Sequence, residues 1–449
     1  MKPKNSRLHR ETISMSDLQI GFVGLAVMVL LMLLYVPVGV ALGFVGAVGI
    51  YFLLGSGAMW GIITAIPYDF AAHWTLSSVP MFLLMGYVAY HAQMTDGLFR
   101  TARLWLSALP GGLAIASIGA SAGFSAVTGS SLACAAAMGR IAVPEMLRYK
   151  YDKGLASGVV AAAGTIGSMI PPSIMLLIYG VFAEVPIGQL FVAGIIPGLL
   201  TAVMFAAMVV IRVKANPSLA PDKDLLPTWH ERFYSLGETW PLLVIIFAVI
   251  GGLFIGVFTP TEAGAVGALL SFFVAGIRRK LNLDLIKKSV SETLVSTAAI
   301  FVIAIGAAIL TRFLALTGIP DFLSDFVLEA AVNPLTILAG MAVVYLLLGM
   351  FLDPIGIMLL TLPIFLPVAE AADINLIWFG ILIAKFLEIA LITPPVGLNV
   401  FVIKGIVGDA ISTVTIFRGI LWFLVADLIT MSLLIIFPQI SLWLPQLMN

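Results

Sequence analysis

Charge is scarce in this chain: Lys, Arg, Asp and Glu make up 10% of its 449 residues, against the roughly 25% usual in a soluble domain. With 61% of residues hydrophobic, a soluble globule is excluded. The 23 basic and 23 acidic residues cancel, so no basic surface argues for nucleic acid and no acidic tail for a cationic partner. A single cysteine, Cys134, excludes an internal disulfide and any multi-cysteine metal site. Four histidines, His9, His73, His91 and His230, are scattered, with no His-x-x-x-His or Glu-flanked pair for a catalytic metal. No His, Cys or carboxylate cluster suggests an enzyme.

What remains is apolar sequence in runs of about 20 residues, the length that spans a bilayer as helix. A β-barrel would need ~10-residue strands alternating in and out, which are missing. The reading is an all-α polytopic membrane protein. Residues 18–36 and 37–55 read as spans, 76–92 as another, and 57–69 as either a third span or an interfacial segment. A basic start (Lys2, Lys4, Arg7, Arg10) precedes an apolar run without a cleavage site, read as a retained span. The side of the N-terminus stays open. His91 to Arg103 reads as a polar stretch, 212–238 as the longest hydrophilic interval and 317–333 as a loop. Residues 239–257, a return through 277, 290–316 and 414–437 read as further spans. Basic residues gather at 148–150, 212–232 and 278–288, on one face by the positive-inside rule. Thr259-Pro260-Thr261-Glu262 has the form of a capping box with Pro at the first helical position.

Four polar, Gly or Pro patches interrupt this sequence: Gly129-Ser130-Ser131, Ile170-Pro171-Pro172-Ser173, Leu352-Asp353-Pro354 and Thr393-Pro394-Pro395-Val396-Gly397-Leu398-Asn399. An offset of 223 residues lays Pro144 on Pro367, Ala161 on Ala384, Ile166 on Ile389, Pro171-Pro172 on Pro394-Pro395, and Ser130 on Asp353. Two copies of a polar break followed by a Pro-Pro break suggest duplication. Each copy reads as a re-entrant helical hairpin and a broken helix. The organisation expected is N-terminal scaffold spans 1–108; a first transport unit 109–212, with hairpin 109–150 and broken helix 155–182; a loop and scaffold spans 213–316; and a second unit 317–449, with hairpin 334–372, broken helix 376–408 and the last span. The first hairpin is flanked by basic residues and the second is not, so the units form an inverted repeat. A parallel-repeat facilitator or a channel fits this order less well.

Broken helices persist at membrane depth only where protein or a water-filled cavity satisfies the freed backbone groups, which is the signature of a transporter binding site. Ser130, Ser131, Thr165, Ser173, Thr393 and Asn399 offer neutral oxygens for a hard monovalent cation, and Asp353 is either a cation ligand or a hydrogen-bonding anchor of its hairpin. Half-helix N-termini suit a substrate carboxylate. Lys385 and Glu388 lie three apart, the spacing of an intrahelical ion pair. Satisfied helix kinks remain the plain alternative for each single Ser or Thr.

Gly129 to Ala133, Ala162 to Ile174, Thr259 to Val266 and Leu391 to Val402 together make the chain resemble the large, DctM-like permease subunit of tripartite ATP-independent periplasmic (TRAP) transporters, over nearly its whole length. The resemblance implies a sodium-coupled, elevator-type permease of a bacterial or archaeal cytoplasmic membrane that works with a small four-span membrane subunit and a periplasmic substrate-binding protein. It implies uptake of a small organic acid such as a dicarboxylate, keto acid or acidic sugar, and no cofactor beyond the coupling sodium ion. It places sodium and substrate near the hairpin tips and helix breaks, here Gly129, Ser130, Ser131, Thr165, Gly167, Pro171, Pro172, Ser173, Asp353, Thr393, Pro394, Pro395, Gly397 and Asn399, with no individual ligand assigned. Many members carry an acidic residue shortly after the Gly-Ser-Ser tip, where this chain has Cys134. A proton-coupled or facilitative anion carrier or channel without a binding protein is the alternative function.

Overall fold

Helices begin where the sequence supplies side-chain acceptors for their first free N–H groups. Ser16 with Gln19, Thr228 with Glu231 and Thr259 with Glu262 close capping boxes at the starts of Asp17–Leu33, Trp229–Ile246 and Pro260–Ile277. Asp152, Asn282, Asn333, Asn375 and Ser412 each cap a further helix through a side-chain oxygen. The structure, a computed structural model, describes residues 16–221, 227–329, 333–350 and 352–448, and among these the regular elements are all helical. The basic residues Lys2 to Arg10 lie outside the described residues.

Among the described residues six helices are long and apolar enough to cross a membrane: Ile187–Ala215, Trp229–Phe254, Pro260–Ile277, Leu283–Thr317, Pro354–Ala371 and Thr413–Ile436. Asp17–Leu33, Val38–Leu54, Gly112–Thr128 and Pro334–Gly349 are apolar but shorter. At 1.5 Å per residue they reach only about 25 Å, less than a hydrocarbon core of about 30 Å.

The first hairpin consists of Gly112–Thr128 and Ser131–Arg148, and its broken helix of Lys153–Thr165 and Ile174–Phe182. The second hairpin consists of Pro334–Gly349 and Pro354–Ala371, and its broken helix of Leu376–Ala390 and Leu398–Val407. Four side-chain bonds tie the two broken helices together. Lys153 Nζ donates to Ala410 O, Asn399 Nδ2 to Ala161 O, Ser168 Oγ to Glu388 Oε1 and Tyr179 OH to Leu376 O. As residue numbers climb along the first helix, the partners descend along the second. The two units therefore run in opposite directions, and the fold is an inverted repeat.

The basic loops meet at one end. Arg278 donates to the carbonyls of Ala92 and Gln93, Lys280 to the Gln93 side chain, Arg103 pairs with Glu145, and Asp152 N donates to Leu219 O. Opposite them, Tyr179 meets Leu376 and Trp378 Nε1 donates to Leu434 O. The first hairpin opens to the basic end and the second to the other.

The 35-residue helix Leu283–Thr317 is the spine of the scaffold. Gly21 packs on Thr317, Gly39 on Val302 and Gly46 on Leu310, so Asp17–Leu33 descends from the non-basic end and Val38–Leu54 returns to it. Residue 16 therefore lies at the non-basic end. Phe70 packs on Phe301, about halfway along the spine, and Arg278 holds residues 92–93 at the basic end. Ser56–Ala71 is thus the upper half of one crossing that Ser78–His91 completes, neither a full span nor a separate interfacial segment.

Three loop expectations are corrected. The polar stretch after His91 is an amphipathic helix, Met94–Leu106, with Phe99 buried and Arg100 paired with Glu238. The interval 212–238 keeps the end of Ile187–Ala215 and the start of the next crossing at Trp229, because Thr228 and Glu231 cap it early. Residues 317–333 contain the helix Ile319–Glu329, whose Ile319, Leu323 and Val327 recur every fourth residue and pack on the core.

Candidate functional site

Gly129 ends the first hairpin arm in the left-handed conformation, φ 60°, and its carbonyl accepts from Ile174 N at 3.3 Å. A Cβ here would lie 2.2 Å from Pro172 O, so the position requires glycine. Ser130 caps the second arm, its Oγ accepting from Ala133 N at 3.4 Å, and Ser131 Oγ donates to Thr165 O at 3.2 Å. Gly167 passes the Ser130 backbone so closely that a Cβ would sit 2.9 Å from it. Ser173 caps the second half of the broken helix, accepting from Leu176 N at 3.2 Å. Gly129, Ser130, Ser131, Thr165, Gly167, Pro171, Pro172 and Ser173 are thus brought into one backbone-on-backbone knot.

At the second tip Asp353 caps Pro354–Ala371, accepting from Gly356 N at 2.8 Å, the anchoring geometry for this hairpin. In the second break Thr393 Oγ1 donates to Ile389 O at 2.7 Å, and Gly397 takes φ 55° where the chain turns into Leu398–Val407. Both Pro171-Pro172 and Pro394-Pro395 are cis. Asn399 is fully buried; its Nδ2 donates to Ala161 O at 3.0 Å while its Oδ1 has no partner among the described residues.

Ser130, Ser131 and Asp353 face a common cavity of about 540 Å³ between the tips and the scaffold. Leu391, at the edge of the second break, also lines it, whereas Thr165, Gly167, the two proline pairs, Ser173 and Asn399 do not. The scaffold wall includes Tyr87, Tyr90, Glu292 and Ser296. Tyr87 OH meets Ser296 Oγ at 2.7 Å, His91 Nε2 meets Glu292 at 3.0 Å, and Arg140, from the first hairpin, donates to Tyr90 OH at 2.8 Å. The cavity reaches from the tips toward the basic end, where Tyr90 and Glu292 lie. Sequence reasoning missed Arg140, Tyr90 and Glu292, whose roles depend on packing between distant segments.

Behind the tips lies a charge cluster. Lys385 Nζ stands 3.0 Å from Glu388 Oε2, 2.6 Å from Asp427 Oδ1 and 3.1 Å from Thr201 Oγ1, and all three charged side chains have zero exposure. Ser168, in the first break, bonds Glu388 Oε1 at 3.0 Å. The spacing predicts the Lys385–Glu388 pair; Asp427, a lone acid in the last span, is a partner that sequence reasoning missed. Among the described residues no group of three or more His, Cys, Asp or Glu side chains suits a metal. The tips and breaks carry carbonyl, hydroxyl and amide oxygens together with the Asp353 carboxylate.

The profile of the family described as "Tripartite ATP-independent periplasmic transporter, DctM component" matches residues 25–440. The chain is 35% identical over 376 residues to the sialic acid TRAP transporter large permease protein SiaM of Vibrio cholerae, covering 84% of this chain and 87% of that one. It is 32% identical over 444 residues to the C4-dicarboxylate TRAP transporter large permease protein DctM of the same organism, covering 93% and 96%. The crystal structure of the Alcanivorax borkumensis YdaH transporter, described as having an unusual topology, superimposes with a TM-score of 0.59 at 14% identity, over 92% of this chain and 98% of that one, which shows a shared fold. With residues 25–440 matched, from within the first helix, Asp17–Leu33, to the start of the last, Gln439–Gln446, the chain belongs to the DctM component family of TRAP transporters and is a transport protein, not an enzyme.

Proposed function

We propose that the chain is the large permease of a sodium-coupled transporter that takes up a small organic acid across a bacterial or archaeal cytoplasmic membrane. The observation that carries this reading is the meeting of two oppositely directed hairpin tips at one cavity, with oxygen-rich helix breaks beneath. Sodium is held by oxygens of the tips and breaks, in the neighbourhoods of Ser130, Ser131, Thr165, Ser173, Asp353, Thr393 and Asn399. The unpartnered, buried Asn399 Oδ1 supports it, since a buried acceptor without a donor is costly unless a cation or water meets it. The substrate carboxylate lies in the cavity between tips and scaffold. Residues 109–212 and 317–449 move together against the scaffold spans in an elevator motion, and the Arg140–Tyr90 bond is a contact that this motion breaks.

The chain works with a small four-span membrane subunit and a periplasmic binding protein, as the tripartite family description implies. Ser56–Ala71, an apolar helix with no buried residue, offers a face for that subunit or for lipid. Uptake of organic acids by proteoliposomes holding the chain with both partners tests the reading. Transport driven by an inward sodium gradient is expected; unchanged transport with potassium in place of sodium, at a fixed proton gradient, would sink it. A proton-coupled mechanism is the second reading, favoured by two buried carboxylates sharing one lysine at Lys385.

A further inference from the structure

Lys385, Glu388 and Asp427 set one cation against two acids, all three with zero exposure. The lysine is already matched without Glu388. Asp427 Oδ1 stands 2.6 Å from Nζ, nearer than Glu388 Oε2 at 3.0 Å, and Thr201 Oγ1, whose own proton goes to Pro197 O, accepts another donor at 3.1 Å. The Phe205 ring, 5.8 Å from Nζ, gives the cluster an apolar side. Glu388 is therefore in surplus for the pairing of Lys385. A buried charge without compensation is costly, so a surplus acid here calls for a cation that the described residues of the cluster do not supply.

The other oxygen of Glu388 shows where that cation would stand. Oε1 meets Ser168 Oγ at 3.0 Å, and Ser168, unlike Glu388, lines the cavity between the tips and the scaffold. A hydroxyl has one proton and two lone pairs. Two acceptors compete for the Ser168 proton, Thr165 O at 2.9 Å and Glu388 Oε1 at 3.0 Å, and a carboxylate is the stronger of the two. With its proton drawn to Glu388, Ser168 keeps only lone pairs for its other neighbours, and Thr165 O keeps a lone pair beside the one that Ser131 Oγ uses. Such a hydroxyl suits a metal ion and cannot donate to a substrate carboxylate. The Ser168 carbonyl accepts from Ser173 Oγ, and Gly167 is pressed against the Ser130 backbone, so Ser168 is fixed between the first break and the first tip.

We infer that Glu388 is a positioning residue for the sodium ion at the first break, acting through Ser168 by holding that hydroxyl as an acceptor. This rests on the sodium reading above and deepens it, because it gives the ion a buried anion that does not itself line the cavity. Lys385 holds the Glu388 carboxylate in place, and Asp427 balances the lysine. Glu388→Gln keeps a carbonyl oxygen for Ser168 without the charge, and so retains part of the effect; Glu388→Leu keeps neither. Both leave Lys385 paired with Asp427.

The test is equilibrium binding of radiolabelled sodium to the purified full-length chain in nanodiscs, with thermal unfolding in sodium-free buffer beside it. Glu388→Leu and Ser168→Ala are each expected to raise half-saturating sodium roughly tenfold, and Glu388→Gln by less. Adding Ser168→Ala to either Glu388 variant is expected to weaken binding by far less than the product of the single effects, since residues on one path are not additive. Sodium-free melting of Glu388→Gln and Ser168→Ala close to the parent temperature separates this role from a merely structural one. Unchanged half-saturation in both Glu388 variants, or losses that multiply in the double variants, overturns the inference; so does a sodium loss that follows the melting temperature across the single variants. In each of these cases saturable binding by the unaltered chain leaves the sodium reading standing. No saturable binding by the unaltered chain removes both.

Discussion

Replacing Lys385 by Met removes a charge whose surroundings are fully enclosed. Its three donors are all engaged, with Glu388 at 3.0 Å, Asp427 at 2.6 Å and Thr201 at 3.1 Å. Methionine keeps an unbranched apolar stem but leaves two buried carboxylates without a cation, and Asp427 Oδ2 has no partner among the described residues to begin with. Removing one partner of a buried ion pair costs about 3–5 kcal/mol, because the desolvated charge left behind is uncompensated. For a chain of 449 residues, with an unfolding entropy of about 2 cal/mol/K per residue, that corresponds to a fall in melting temperature on the order of 3–5 °C. Thermal unfolding of the purified protein in detergent, followed by tryptophan fluorescence, reads the shift. A triple variant with Lys385→Met, Glu388→Gln and Asp427→Asn removes all three charges at nearly constant volume and is expected to recover most of the loss. A Lys385→Met protein that melts at the parent temperature would refute the reasoning. So would a triple variant no more stable than the single one, since the loss would then come from packing and not from charge.

Four other outcomes follow from the same geometry. Gly129→Ala forces a side chain onto Pro172 O and into positive φ, and is expected to abolish uptake while the protein still inserts, checked by membrane fractionation beside the transport assay. Ser130→Ala removes a helix cap and one neutral oxygen, a loss of about 1 kcal/mol, read as a several-fold rise in the sodium needed for half-maximal transport. Asp353→Asn removes a formal charge from the cavity and is expected to raise that requirement further; an unchanged sodium curve counts against a role at the ion. Single cysteines at Lys150 and Ala371, on a Cys134→Ala background, should label from opposite sides of the membrane, and labelling of both from one side contradicts the inverted repeat.

The hairpins and breaks were legible because membrane sequence is otherwise so uniform. A Gly-Ser-Ser or Pro-Pro interruption in apolar sequence has no explanation in helix propensity, and the helices do end at Thr128, Thr165, Gly349 and Ala390. The Thr259–Glu262 capping box was equally readable, since it depends on residues three apart. Short-range patterns failed where polarity was taken for loop. Met94–Leu106 and Ile319–Glu329 are amphipathic, and their charged faces masked the apolar stripe. Long-range electrostatics were not legible at all. Lys385 and Glu388 announce each other by spacing, but Asp427 joins them across 42 residues of sequence, and Arg140 acquires meaning only when Tyr90 is folded against it.

The account stands most directly on sodium being bound by oxygens of the tips and breaks. Equilibrium binding of radiolabelled sodium to the purified chain in nanodiscs measures this without substrate or partners. Saturable binding that excess potassium does not displace, and that weakens in Asn399→Ala and Asp353→Asn while both variants keep the parent elution profile, is the predicted result. No saturable sodium binding, or full binding in both variants, would contradict it.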